Sequence, residues 1–288
     1  MSAYRFCRTD DIGLLVDALN RCWPPHFPDE SPMTPAVFKR SIRDLQVWCS
    51  SCMVAFSGSD PIGVLIGAKR PGATLVHKIA VHPDHRRQGH ARHLLASLGS
   101  KLAILGPPRI VAEVPENLAA ACGLFSACEY AQETVLTDYV LEGAPPSERG
   151  DAARVEGFVI PVTIDDLAAN DLLEEAHSQT CWERSVETLT ARKDDIAGFA
   201  VASDERIEAY LLYVTRGGEE TEIIWLRSFI EDGGARLQRL LTQLRTQGVQ
   251  LMRFPKVHPA EISEEWLETL GFRAVASHRL YTVRARSE

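Results

Sequence analysis

The run Val81-His82-Pro83-Asp84-His85-Arg86-Arg87-Gln88-Gly89-His90-Ala91 joins an apolar strand, Thr74 to Val81, to a helix in which Ala91, Leu94, Leu95, Leu98 and Leu102 recur at helical spacing. A strand, basic turn and helix in this order can hold a phosphate. The first N–H groups of a helix have no partner inside it, and the macrodipole draws an anion to the same end. Gly89 can take backbone angles closed to other residues and lets a phosphate approach the main chain, while Ala91 keeps the helix start uncluttered. Arg86, Arg87, Gln88, Gly89, His90 and Ala91 are therefore the candidate anion-binding residues.

Arg86, Gly89 and Ala91 fit the pattern Arg or Gln, two residues, Gly, one residue, Gly or Ala, in which this region resembles the acetyl-CoA signature of the GNAT (Gcn5-related N-acetyltransferase) superfamily. The resemblance implies acetyl-CoA, or another acyl-CoA, as co-substrate and a small-molecule amine as acceptor. It also implies that backbone N–H groups of Ile79, Ala80 and Val81 receive the pantetheine arm and the thioester oxygen.

By the same resemblance His77, nine residues before Arg86, is the general-base candidate, although a histidine packed on a strand is an equal reading. Glu113 on the next strand is the alternative base, working through water, or a carboxylate with a structural partner. Asn117 stands where many relatives contact the pantetheine or order a water, and it can equally cap the helix that follows. Phe125 takes the cofactor-side position at which many members carry a Tyr that protonates the leaving thiolate. Phe has no proton to give. That departure opens a second reading, a CoA-binding sensor or scaffold with impaired catalysis.

These residues need a rigid frame, and the chain carries one. Strand and helix patterns run β-α-α-β-β-β-α-β-α-β from Tyr4 to Leu141, which is the order the resemblance implies. The Pro-rich stretch Trp23 to Pro35 separates the first two helices, and in the family such a loop borders the acceptor, which makes Trp23, His26 and Phe27 wall candidates. Val47 to Phe56 reads as a strand. Residues 144–154 are rich in turn formers and charge and read as a linker. A second half then repeats the plan, with Thr163-Ile164-Asp165-Asp166 echoing Thr9-Asp10-Asp11-Ile12. The expected fold is α/β (α+β): two tandem GNAT folds, 1–143 and 155–288, each a mixed, mostly antiparallel sheet flanked by helices. In the second copy Glu231-Asp232-Gly233-Gly234 replaces the basic turn, and carboxylates there repel a pyrophosphate, so the active site is expected in the N-terminal copy.

Composition narrows the alternatives. The chain has 288 residues, 45% of them hydrophobic, enough for two cores. Residues 1–150 are neutral in sum, and all of the net charge of −8 falls in the second half. No basic patch interleaved with aromatics appears, so a nucleic-acid partner is not expected. Charge comes too early at the N-terminus for a signal peptide, and no apolar run reaches the roughly 20 residues that span a bilayer, so a cytoplasmic protein without a membrane partner is expected. Seven unevenly spaced cysteines argue against a disulfide framework, and Cys49-Ser50-Ser51-Cys52 lacks a second ligand pair, so no metal is expected. A homodimer is compatible with everything above.

Overall fold

The computed structural model describes residues 2–143, 157–173 and 180–285. The linker read over 144–154 lies outside the described residues. The chain divides into two compact units, one made of residues 1–134 and 279–288 and the other of 135–278.

In the first unit the strands are β1 (Ser2–Phe6), β2 (Met53–Ser57), β3 (Asp60–Lys69), β4 (Thr74–Val81) and β5 (Arg109–Pro115) in that order, followed by the last residues of β12 (Arg273–Arg284) and the first of β6 (Ala131–Glu142). β1 to β4 are antiparallel to their neighbours, whereas β4 and β5 are parallel. The final strand runs against β5: Ala285 N–H donates to the Pro108 carbonyl, and the Arg279 guanidinium reaches Glu116 at 2.7 Å.

Four helices serve this sheet. α1 (Ile12–Cys22) buries Leu15, Val16, Ala18, Leu19 and Cys22. α2 (Pro35–Leu45) starts where Thr34 Oγ1 accepts from Val37 N–H and proline holds the first helical position, and it stops at Gln46 with φ 56°. α3 (His90–Leu105) buries Leu94, Leu95, Leu98 and Leu102, each worth about 1.5–3 kcal/mol of apolar burial, and so fixes the turn before it against the sheet. α4 (Ala119–Ala127) buries Cys122 and Phe125.

One expected strand is shorter than its sequence suggests. Cys49–Ser51 forms a 3₁₀ turn rather than the start of β2, because the chain must pass over Gly67, where a Cβ would stand 2.5 Å from the Ser51 carbonyl oxygen. The thiols of this turn are buried, and burial pushes the pKa values of Cys49 and Cys52 up; it pushes that of Cys7 up to about 12. Such thiols are poor ligands and nucleophiles. Among the described residues no group of three His, Cys, Asp or Glu is placed to hold a metal, and no helix is long and apolar enough to cross a membrane.

The second unit repeats the plan. β7 (Phe158–Val162), β8 (Ala197–Ala202), β9 (Ile207–Gly217), β10 (Glu220–Ser228) and β11 (Leu251–Val257) follow one another from the edge inward, then come most of β6 and the start of β12. Its helices are α5 (Ile164–Ala169), α6 (Val186–Ala191), α7 (Ala235–Thr246) and α8 (Glu264–Thr269), with α5 opened by a capping box between Thr163 and Asp166. The two units part after Thr134 and after His278.

Candidate active site

β4 supplies two irregularities, and both open space. In its register with β3, Ile66 faces Lys78 and Gly67 faces Val76, which makes His77 the extra residue of a β-bulge. A bulge re-aims side chains and bends the strand. On its other edge β4 is in register with β5 only through Thr74↔Ile110 and Leu75↔Val111. Beyond those pairs the two strands separate, with His77 and Glu113 each two residues past the last pair. The two base candidates therefore flank the start of one gap, and Ile79, Ala80 and Val81 continue along its β4 side.

Beyond Val81 the chain makes a 3₁₀ turn, Pro83–His85, and then reverses through two left-handed residues, Arg87 at φ 62° and Gly89 at φ 88°. Gly89 caps α3 without a side chain, and a Cβ there would meet nothing within 4 Å. A left-handed residue followed by helical His90 turns successive N–H groups to one side, which makes a small anion-binding concavity. The first helical bond is from His93 N–H to the Gly89 carbonyl, so the N–H groups of His90, Ala91 and Arg92 precede the helical ladder.

The side chains of the turn have other duties. The Arg86 guanidinium donates from Nη2 to His26 Nε2 at 3.1 Å and from Nε to the Val81 carbonyl at 3.5 Å. The Gln88 amide donates to the Asp84 carbonyl. His90 is 5% exposed and points inward, with Nδ1 2.7 Å from the Tyr4 hydroxyl and Nε2 buried without a hydrogen bond. Burial, then His85 and His93, hold its pKa below the usual imidazole value. Of the residues singled out in sequence, Arg86 and His90 can thus offer an anion their main chain, while Arg87 is exposed on the turn.

Asn117 lies exposed in the turn before α4, and Leu118, not Asn117, takes the N-cap position. Phe125 is 2% exposed, its ring in the core beside Tyr130 and Tyr281. The residue before Tyr130, Glu129, adopts φ 63°, an angle that usually calls for glycine.

Facing β4 is the segment from Trp23 to Glu30. Trp23 stacks on Phe27 with ring centroids 4.5 Å apart and donates from Nε1 to Glu30 Oε2 at 2.8 Å. The Lys78 ammonium lies 3.9 Å from the Trp23 ring centroid and 3.4 Å from the same Glu30 oxygen. Sequence reading missed Glu30 and Lys78. Their one signal was a lysine in an otherwise apolar strand.

The second unit has the same backbone with a different occupant. β10 and β11 are parallel and in register only from Glu220↔Leu251 to Glu222↔Arg253, and Gly234, at φ 89°, caps α7. Here Asp232 fills the cradle: Oδ1 accepts from Gly234 N–H at 3.1 Å and Oδ2 from Arg236 N–H at 3.0 Å. Arg236, at the position of Ala91, also donates from Nη1 to Asp232 Oδ2 at 2.7 Å and is held by Glu208 at 2.8 Å. A carboxylate of the chain itself takes the donors that the first unit leaves to the turn.

The profile of the acetyltransferase (GNAT) family matches residues 14–130. Over its whole length the chain resembles the solved structure of a tandem GNAT protein from the clavulanic acid biosynthesis pathway, at 17% identity and a TM-score of 0.63, covering 99% of that chain. It resembles a GCN5-related N-acetyltransferase from Sphaerobacter thermophilus at 14% identity and a TM-score of 0.68, with 99% of this chain and 96% of that one covered. A protein from Pyrococcus horikoshii assigned as an acetyltransferase matches at 16% identity and a TM-score of 0.63, over 100% and 90% of the two chains. At these identities the likeness is one of fold.

Proposed function

We propose that this chain, whose residues 14–130 match the acetyltransferase (GNAT) family profile, moves an acetyl or related acyl group from acyl-CoA to the amine of a small-molecule acceptor, with its active site in the N-terminal unit. The observation that carries this reading is the contrast between the two helix starts. Gly89 leaves the α3 N-terminus open, whereas the Asp232 carboxylate satisfies that of α7. The open cradle fits a pyrophosphate, and the filled one excludes it by charge.

Acetyl-CoA supplies an activated thioester. The residues of this chain bind, orient and move protons. The turn from Arg86 to Ala91 holds the phosphates through its main chain, and the edge of β4 beyond its register with β5, at Ile79, Ala80 and Val81, offers N–H groups to the pantetheine arm. His77, set off by the bulge, takes the ammonium proton of the acceptor, with Glu113 across the gap as the alternative through water. The aromatic pair Trp23 and Phe27 forms the acceptor wall.

Phe125 favours a second reading, a CoA-binding protein in which transfer is slow or lost, because the residue cannot protonate a thiolate. Calorimetry with acetyl-CoA and a thiol-release assay over an amine panel test both. One site per chain with thiol release supports the enzyme. One site without release supports the sensor, and two sites or none would overturn the placement.

A further inference from the structure

Two anchors tie the segment Trp23 to Glu30 along β4. At one end Trp23 and Glu30 share the Lys78 ammonium. At the other, His26 Nε2 accepts from Arg86 Nη2, and the His26 ring also bonds the Val81 carbonyl. Arg86 Nε reaches that same carbonyl. His26, Arg86 and Val81 thus close a triangle between the strap, the anion-binding turn and the end of β4. The ring is held in place by its own backbone, since His26 N–H and Phe27 N–H both donate to the Trp23 carbonyl.

We infer that His26 is a positioning residue that couples the donor turn to the acceptor-side strap. The inference rests on the acyl-transfer reading of the N-terminal unit. A phosphate on the turn draws on the same guanidinium that His26 holds. Any rotation of Arg86 toward that charge withdraws the donor from Nε2 and loosens the strap where it meets Val81. The acceptor wall, which includes Trp23 and Phe27, then answers to the state of the donor site. In this role His26 acts on the wall through the bonds it makes to Arg86 and the Val81 carbonyl.

Trp23 provides the readout. Five tryptophans are present, so its own emission is the difference between the parent and Trp23→Phe. On titration with acetyl-CoA the parent should show a Trp23-dependent change that saturates with the calorimetric affinity. His26→Phe should bind acetyl-CoA within about threefold of the parent yet lose that change, and should raise the acceptor KM about tenfold with a smaller effect on kcat. His26→Gln, whose amide oxygen can accept from Arg86, should recover part of both. A full Trp23 response in His26→Phe would overturn the coupling.

If acetyl-CoA fails to bind the parent, the acyl-transfer reading falls and the strap remains open to an acid titration. Burial and then Arg86 hold the His26 pKa below its usual value, so the neutral clamp persists above about pH 6.5 and is lost as pH falls through the lowered pKa. Arg86 faces the ring from the turn, the Val81 carbonyl from β4, and Glu30 and Lys78 flank Trp23 on the strap and on β4. Trp23 emission of the ligand-free parent should titrate in that range, persist in Glu30→Gln and be flat in His26→Phe. An unaltered titration in His26→Phe would refute the clamp.

Discussion

The ring of Phe125 lies 5.7 Å from that of Tyr281 at an interplanar angle of 17°, and both side chains are 2% exposed. A phenol from the last strand is thereby packed against Phe125, a ring that has no proton to give. The Tyr281 hydroxyl is buried without a partner at full hydrogen-bond geometry, and the Arg279 guanidinium interacts with it electrostatically. An unpaired buried hydroxyl costs free energy that its removal returns. Tyr281→Phe should leave stability unchanged or raise it by up to about 1 kcal/mol in urea denaturation. A clear loss of stability would mean that the oxygen has a partner after all.

Asp232 holds the start of α7 as a phosphate would. Asp232→Ala removes two bonds to main-chain N–H groups and one arm of Arg236 and should cost about 1–2 kcal/mol. It should not create a second acyl-CoA site, because Arg236 still stands where the first unit has Ala91. Calorimetric stoichiometry checks this: two acetyl-CoA per chain in Asp232→Ala would show that the carboxylate alone kept the second cradle closed.

Asp138 gives the second unit an acid-sensitive contact. Burial opposes its charge, but His278 Nε2 at 3.0 Å and Lys256 N–H at 2.7 Å together hold its carboxyl below the usual carboxylate range. A depressed pKa contributes stability that is fully present above the ordinary carboxylate value, about pH 4, and is lost as pH falls through the folded value. Asp138→Asn should therefore be less stable than the parent at neutral pH, and the difference should shrink toward pH 3. A difference that stays constant from pH 7 to pH 3 would contradict the pairing.

Much of the frame was legible because its signals are local. The leucines of α3, the turn before it and the strand from Thr74 to Val81 each carry their own periodicity, and the structure places all three where the sequence did. What escaped depends on partners far away in the chain. The bulge at His77 is a matter of register with β3, and nothing in Val76-His77-Lys78 announces it. The Arg86 side chain looked free to meet a phosphate because its competitor, His26, is 60 residues distant in sequence. Lys78 and Glu30 form one contact between an apolar strand and a Pro-rich loop 48 residues apart in sequence. Glu129 holds a left-handed angle that glycine normally marks, so the end of α4 carried no such signal.

The passage of β6 and β12 between the two units also sets a timetable. The edge of β5 is covered by residues 279–285, from β12 and its end, so during synthesis the first unit must wait with that edge bare until those residues have left the ribosome. Severing the chain between its two halves would free an unfinished sheet rather than a working domain.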